Sequence, residues 1–245
     1  MKEFLIEGID IDFRNQTIKY NPNHQNNVDT SELINPTYYQ YKDFSLISLF
    51  KRNGNISKAD GNPLIYALKN INNWKIDSKD IILLLKQFIK IVRKIKPKYD
   101  TIIMCPSRSA LNSNFLYRLN KIINADNVIQ DVFTKLEFGE VYSNYVDWKS
   151  LSVEDEEVIN DTFDEMGNYF SFKYIPTYLR KYIKKSMLLN PKHKNVEELI
   201  NDKDVLILDD TIATGATVSE MTKSIKYIFK PKSLTVITLF SPLSK

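Results

Sequence analysis

The residues best suited to chemistry lie in the stretch Val205–Thr217, which reads Val-Leu-Ile-Leu-Asp-Asp-Thr-Ile-Ala-Thr-Gly-Ala-Thr. Asp209 and Asp210 are neighbouring carboxylates, and ionised carboxylates are strong acceptors for the hydroxyl groups of a sugar. A Gly/Thr loop follows at Thr214–Thr217. Such a loop, opening into a helix, offers free backbone N–H groups and a positive dipole end that suit a phosphate. An acid pair followed by this loop predicts a site for a phosphorylated sugar.

Two regular elements must hold these residues in place. The apolar run Val205–Leu208 predicts a buried parallel strand, and the amphipathic run Val218–Phe229 predicts a helix. Ligands of open α/β sheets bind just beyond the carboxyl ends of the strands, which is where the acid pair stands. The alternative is an ordinary strand–turn–helix unit with a polar turn. That alternative does not require paired acids, a glycine and two threonines in this order.

The stretch Val205–Thr217 resembles the phosphoribosyl-pyrophosphate (PRPP) signature of the type I phosphoribosyltransferases, in which an apolar strand precedes Asp-Asp and Thr-Gly-x-Thr. The match runs without a gap over thirteen positions. The family commonly has Val where this chain has Thr211, and Thr where it has Ala213. The second departure removes a hydroxyl group that would otherwise contact phosphate.

This resemblance implies roles for the residues of the signature. Asp209 and Asp210 are the implied catalytic pair, which holds the 2′- and 3′-hydroxyls of the ribose. Mg²⁺ is the implied cofactor, and it would bridge pyrophosphate and ribose oxygens with few protein ligands. The implied PRPP-binding residues of the loop are Thr211, Ala213, Thr214, Gly215, Ala216 and Thr217.

A second loop is assigned by its position in the predicted topology. The segment Tyr99–Cys105 predicts a buried strand, and a helix is predicted over Leu111–Ile123. In the resembled family, the turn after the first core strand holds the pyrophosphate of PRPP, and here that turn contains Ser107, Arg108 and Ser109. The alternative is a surface turn with an incidental arginine. We interpret Cys105 as a buried strand residue and not as a nucleophile.

An irregular segment at about 139–199 predicts an insertion that covers the site. Within it, residues Lys173–Lys194 include seven Lys/Arg and no acid. This basic stretch is either a lip above the pyrophosphate or a solubilising face, and Lys185 or Arg180 is the predicted anion contact. The spacing of apolar residues predicts helices over Glu154–Glu165 and Pro176–Leu188.

The rest of the chain completes an α/β fold. Residues 3–20 alternate as in a β-hairpin, and an apolar stripe predicts a helix over Asp77–Ile95. Further strands are predicted at Val128–Phe133 and Ser233–Phe240. We expect a phosphoribosyltransferase-like core with a mainly parallel sheet flanked by helices at 97–245, including the cover (hood) insertion. An N-terminal hairpin and helical region at 1–96 would pack on it.

The bulk properties limit the class of protein. The chain has 245 residues, 43% hydrophobic and 26% charged, which is typical of a soluble globular protein. It contains no apolar run of membrane-spanning length, and Cys105 is its single cysteine, which excludes an internal disulfide. These facts favour a cytoplasmic protein. The net charge of +4 is too small to argue for nucleic-acid binding.

The resemblance implies a Mg²⁺-dependent enzyme that moves the 5-phosphoribosyl group of PRPP to a nitrogenous acceptor, such as a nucleobase, and releases pyrophosphate. Within the family the layout is most similar to the ComF-type, competence-associated proteins, although one cysteine cannot build the zinc ribbon with which many of them begin. Dimers are common in the family, so the resemblance allows a homodimer but leaves the oligomeric state open. Two alternatives are a non-catalytic PRPP or nucleotide sensor and a ComF-like factor linked to DNA uptake or defence.

Overall fold

The computed structural model describes residues 8–21, 28–41, 43–52, 63–95, 98–107, 110–164, 166–172, 174–176, 178–193, 196–212 and 215–241. The strands in this part of the chain are β1 (Gly8–Asp12), β2 (Thr17–Asn21), β3 (Val28–Asp29), β4 (Thr37–Gln40), β5 (Ser45–Arg52), β6 (Lys75–Ile76), β7 (Thr101–Met104), β8 (Asn127–Ile129), β9 (Phe133–Lys135), β10 (Met187–Leu189), β11 (Asp204–Thr211) and β12 (Ser233–Ser241).

The helices of the same residues are α1 (Pro63–Lys69), α2 (Ser78–Val92), α3 (Ala110–Ile123), α4 (Phe138–Asn144), α5 (Val153–Asp164), α6 (Glu197–Ile200) and α7 (Ala216–Ile228). Short 3₁₀ turns lie at Trp148–Ser150, Arg180–Tyr182 and Pro191–His193. Among the helices that are described, none has the length and apolar composition needed to cross a bilayer.

Within the described residues, the main sheet has seven strands and is centred on β11. Its order is β3-β5-β12-β11-β7-β8, and β4 also pairs with β5. The strands β5, β12, β11, β7 and β8 run parallel, whereas β3 and β4 are antiparallel to β5. The carboxyl ends of β7, β11 and β12 therefore meet at one edge of the sheet. Mixed α/β architecture with a mainly parallel sheet flanked by helices is thus confirmed.

Helices cover both faces of this sheet, as the apolar run of β11 requires. Leu206 and Leu208 pack into one cluster with residues of α2 and α3, including Phe88 and Phe115. Val205 and Ile207, which alternate with them, pack on the other face against Val218, Met221 and Ile225 of α7. The alternation fixes the register of β11, because a slip by one residue would exchange the two faces.

A two-stranded ribbon supports the segment that the sequence predicts as a cover. Strands β9 and β10 pair antiparallel, so the chain leaves the core at Lys135 and returns at Met187. Residues between them form a separate apolar cluster that includes Val141, Ile159 and Phe163. The segment therefore has a small core of its own.

The N-terminal part of the chain contributes to two sheets. The predicted hairpin is confirmed for the described residues, since β1 pairs antiparallel with β2 in a small sheet that β6 completes. The apolar run Leu46–Phe50 lies in β5, which pairs parallel with β12. The main sheet therefore draws strands from both of the regions, 1–96 and 97–245, that the sequence predicts.

Two predicted elements are wrong. The stretch Pro176–Leu188 is not a helix but a 3₁₀ turn followed by β10, because pairing of Met187–Leu189 with β9 replaces the helical hydrogen bonds. The single strand predicted over Val128–Phe133 is divided between β8 and β9, which belong to different sheets. Asp131 lies between the two strands with a φ of 60°, and this left-handed conformation ends the first strand.

Candidate functional site

The acid pair lies inside β11, at its carboxyl end, whereas the sequence predicted a strand that ends at Leu208. Asp209 is opposite Thr238 of β12, and the Asp210 N–H donates a hydrogen bond to Asp209 Oδ1 at 3.0 Å. Successive side chains of a strand point to opposite faces. Asp210 is 4% exposed, and Asp209 is partly exposed. The two carboxylates therefore flank the end of the central strand.

Lys69 is a charged partner of the acid pair that the sequence did not reveal. It is the last residue of α1, and its Nζ lies 2.6 Å from Asp210 Oδ2. The Lys69 side chain is 22% exposed and the Asp210 side chain 6%. The contact is an ion pair that does not meet hydrogen-bond geometry. A lysine at a helix C-terminus ordinarily indicates only compensation of the helix dipole, so no local signal marked this contact.

The electrostatics of the site bring the pKa of Asp209 close to neutrality. Burial, and after it the neighbouring charge of Asp210, raise the pKa of Asp209 to about 7. Lys69 and the Asp210 N–H act against this rise by stabilising the ionised form. A carboxyl group with a pKa near neutrality exchanges its proton readily at physiological pH, which is a recurrent property of functional sites.

Asn112 and Thr211 add buried polar atoms beside the pair. Asn112, in the first turn of α3, is fully buried, and neither its Oδ1 nor its Nδ2 finds a hydrogen-bond partner among the described residues. Its amide is nonetheless close enough to lower the pKa of Asp209. The Thr211 hydroxyl is likewise buried and unpaired within the described chain. Such groups are rare in folded proteins and call for an explanation, such as a bound ligand or water.

Replacing Lys69 with methionine should destabilise the protein most at alkaline pH. The change leaves two adjacent carboxylates without a counter-charge, and removal of one partner of a largely buried pair costs about 2–3 kcal/mol after allowance for partial exposure. The cost should shrink at pH 5.5, where the pair can hold a proton. Urea unfolding at pH 8 and pH 5.5 measures both values.

The matched control is Lys79→Met. Lys79 also pairs with an aspartate, Asp77, but at 3.8 Å and with side chains that are 74% and 72% exposed. An exposed pair of this kind contributes less than about 1 kcal/mol. Equal losses for Lys69→Met and Lys79→Met would contradict the assignment of Lys69 as the counter-charge of the site.

The N-terminus of α7 follows the acid pair closely. Gly215 is the N-cap residue and has a φ of 77°, and no side chain among the described residues caps this helix end. The first N–H groups of a helix have no partner within the helix, so they remain available to an anion. Gly215, Ala216 and Thr217 are all partly exposed. The predicted contacts Ala213 and Thr214 lie outside the described residues.

Replacing Gly215 with alanine should weaken this helix end. The added Cβ would lie 3.7 Å from Ile212 Cγ2, which is an ordinary contact, so the cost comes from the left-handed backbone alone. That cost is about 1–2 kcal/mol in the free energy of unfolding. Gly167→Ala is the control, because its Cβ would meet nothing within 4 Å and its φ is ordinary. Chemical unfolding of both variants checks the difference, and an unaffected Gly215→Ala would contradict it.

The predicted pyrophosphate loop begins at the same edge of the sheet. Cys105 N–H donates a hydrogen bond to Leu208 O at 2.8 Å, which continues the pairing of β7 with β11. Ser107 follows and is partly exposed, while Arg108 and Ser109 lie outside the described residues. Burial and the charges of the acid pair raise the pKa of the Cys105 thiol well above its usual value. The prediction that Cys105 is a buried residue and not a nucleophile is consistent with this environment.

Lys185 shares a groove with residues of α7. It lines an open groove of about 510 Å³ together with Ala216, Arg180 and Lys223. Lys185 and the first residue of the helix that follows the predicted phosphate loop therefore line one groove.

The acid pair has the chemistry that Mg²⁺ prefers. Carboxylate oxygens are hard ligands, and Asp209 and Asp210 provide them at a strand end. Among the described residues there is no group of three or more acids, histidines or cysteines that could enclose a metal ion. The residues thus fit an ion that keeps several waters and takes its remaining ligands from a phosphorylated substrate.

Comparisons with known proteins do not identify a family. No protein-family model matches the chain, and no curated protein sequence matches it. Among solved structures, the chain is similar to adenine phosphoribosyltransferase from Leishmania tarentolae, with 9% sequence identity and a TM-score of 0.36. The similarity covers 96% of this chain and 94% of that chain. A likeness at this level assigns neither fold family nor activity, so function must be inferred from the residues of the site.

Proposed function

We propose that the protein is a phosphoribosyltransferase that uses PRPP and transfers the 5-phosphoribosyl group to a nitrogenous acceptor. The observation that carries the proposal is the unit formed by β11, the acid pair at its end and the uncapped N-terminus of α7. Sugar hydroxyls need ionised acceptors, and a phosphate needs unpaired N–H groups. This unit supplies both within one short stretch of the chain.

Each residue has a proposed role in substrate binding. Asp209 and Asp210 accept hydrogen bonds from the 2′- and 3′-hydroxyls of the ribose. The main-chain N–H groups of Gly215, Ala216 and Thr217 bind the 5′-phosphate, and the predicted loop residues Ala213 and Thr214 complete that cup. Pyrophosphate is held by the turn Ser107–Ser109, with Arg108 and Lys185 as its charged contacts. Asn112 adds a buried amide at the end of β11 that can bond to the sugar or to an ordered water.

The reaction breaks one bond and forms another at C1 of the ribose. The C1–O bond to pyrophosphate breaks and both electrons leave with pyrophosphate, while the acceptor nitrogen forms the new C1–N bond and loses its proton to water. Positive charge develops on the ribose and negative charge on the leaving group. The protein's task is to orient the two reactants and to stabilise these charges. Mg²⁺, when bound, would neutralise part of the pyrophosphate charge.

A second candidate is a PRPP-binding protein without catalysis. The ion pair between Lys69 and Asp210 favours it, because this lysine already occupies an acid that the transferase needs for the sugar. A sensor can use such a pair as a switch: a ligand that displaces Lys69 would release α1 from the strand end. The two candidates share the ligand and differ only in turnover.

Release of pyrophosphate distinguishes the candidates. The protein is incubated with PRPP, Mg²⁺ and a panel of purine and pyrimidine bases, and pyrophosphate is measured by a coupled assay. The transferase proposal predicts release with at least one base and none without a base. Binding of PRPP without release for every base would overturn the transferase and support the sensor. Absence of PRPP binding would overturn both.

A further inference from the structure

A basic groove runs along the side of α7. One wall is the helix face that carries Ala216, Ser219, Glu220, Lys223 and Ser224. These positions follow helical spacing over two turns, which is about 12 Å along the axis. The other wall is the segment that contains Arg180 and Lys185, together with Phe172. The volume of about 510 Å³ is within the usual range for a small-molecule site.

Positive charge dominates the lining of the groove. It comes from one arginine and four lysines, namely Arg180, Lys181, Lys184, Lys185 and Lys223. The positive charge of Lys184 is partly compensated, since its Nζ lies 3.1 Å from Asp147 Oδ1. Lys181 and Lys185 lie over the rings of Tyr182 and Tyr145. Like charges brought together in this way repel one another, so the arrangement favours an anionic ligand between them.

The single acid in the lining, Glu220, has a structural role, and its charge offsets part of the charge of Lys185. Glu220 Oε1 accepts hydrogen bonds from the N–H groups of Ser186, at 2.7 Å, and Met187, at 3.0 Å. Its other oxygen accepts one from the Ser186 hydroxyl. Burial raises the pKa of Glu220. The carboxylate thus links the basic wall to α7 by hydrogen bonds and fixes the two walls of the groove relative to each other.

The groove also offers apolar surface to part of a ligand. Phe172 and Ile183 belong to its lining, beside the basic residues. An aromatic ring flanked by cations suits a ligand that has both a planar apolar group and phosphates. The short length, about 12 Å on the helix side, accommodates few phosphates and is too short for an extended nucleic-acid strand.

From these features we propose that the groove binds a nucleotide with a polyphosphate chain. This site is separate from the proposed sugar site at the end of β11, formed by Asp209, Asp210 and Gly215–Thr217, which we call the cradle. The phosphates contact Lys223 on one wall and the Arg180–Lys185 segment on the other, and the base packs on Phe172. Such a site could regulate the cradle, since Ala216 belongs to both. The proposal does not depend on transferase activity, because Lys223 and Phe172 belong to the groove alone, whereas Lys185 has a proposed role in both sites.

Titration of the protein with a fluorescent ATP analogue tests the groove. Lys223→Glu reverses one charge of the lining, and the analogue should bind about tenfold more weakly or worse, since a charge-assisted contact is lost and a repulsive one is gained. The control is Lys226→Glu, which changes an exposed lysine on the same helix outside the groove and should keep wild-type affinity. PRPP should bind both variants with the same affinity. A failure of the groove proposal can therefore be told apart from a failure of the proposed PRPP site.

Three results would overturn the proposal. One is equal binding of the ATP analogue by the Lys223→Glu and Lys226→Glu variants. The second is equal affinity of the wild-type protein for tripolyphosphate and the analogue, which would leave no role for Phe172. The third is a higher affinity for a single-stranded oligonucleotide than for the analogue, with an affinity that increases with the length of the strand. That result would assign the groove to nucleic acid. Thermal unfolding of each variant confirms that it is folded before the comparison is made.

Discussion

The double variant Asp209→Asn/Asp210→Asn should lose PRPP-dependent release of pyrophosphate while it remains folded. Both substitutions keep the shape of the side chain and remove its charge, so the ribose hydroxyls lose two ionised acceptors. A hydrogen bond to a charged group contributes about 1.5–3 kcal/mol, and the loss of two lowers turnover roughly 100-fold to 10,000-fold. The measurement is the initial rate of pyrophosphate release at saturating base.

The control for this experiment is Asp202→Asn. Asp202 is exposed, and it stands just before β11, at the opposite end of the strand from the acid pair. Its φ of 57° is one that asparagine tolerates well, so the variant should fold and turn over normally. Circular dichroism and thermal unfolding establish that both variants retain their structure. Unchanged turnover in the double variant would remove the acid pair from the site.

The single variant Asp209→Asn should be more stable than the natural protein at pH 8. The folded-state pKa of Asp209 is raised from 3.8 to about 7, so the folded state binds this proton more tightly than the unfolded state. The resulting contribution to stability is fully present below about pH 3.8 and is lost as the pH rises through 7. Asparagine is neutral throughout and avoids that loss, which amounts to at most about 4 kcal/mol.

Urea unfolding between pH 5 and pH 8 checks this expectation. The difference in unfolding free energy between Asp209→Asn and the natural protein should grow as the pH rises, and Asp202→Asn should show no such trend. A stabilised variant that has lost turnover would identify Asp209 as a residue kept for function at the expense of stability. If Asp209→Asn were destabilised at pH 8, or if the difference did not change with pH, burial would not be the main cause of the raised pKa.

Local patterns in the sequence were sufficient to predict the central unit of the fold. The apolar run before Asp209 indicates a strand buried on both faces, and the amphipathic run after Thr217 indicates the helix that covers one of them. Both are confirmed, because the spacing of apolar residues in each run matches the surface that the element buries. The strand is longer than predicted, since the acids continue the pairing of β11 with β12.

What the sequence did not predict depends on contacts between distant segments. Lys69 and Asn112 meet the acid pair only because α1 and α3 lie near the carboxyl end of β11, and neither residue is part of a local motif. The error at Pro176–Leu188 has the same origin. Its apolar spacing fits a helix, but Met187–Leu189 find a strand partner in β9, and this tertiary pairing decides the conformation.

The most direct test of the central claim is a crystal structure of the protein with PRPP and Mg²⁺. The proposal predicts the 5′-phosphate at the main-chain N–H groups of Gly215–Thr217, within about 3 Å of their nitrogen atoms. It also predicts the ribose hydroxyls at the carboxylates of Asp209 and Asp210, with Lys69 moved away from Asp210 or shared with the ligand. A PRPP molecule bound elsewhere, with its sugar turned away from both aspartates, would contradict it.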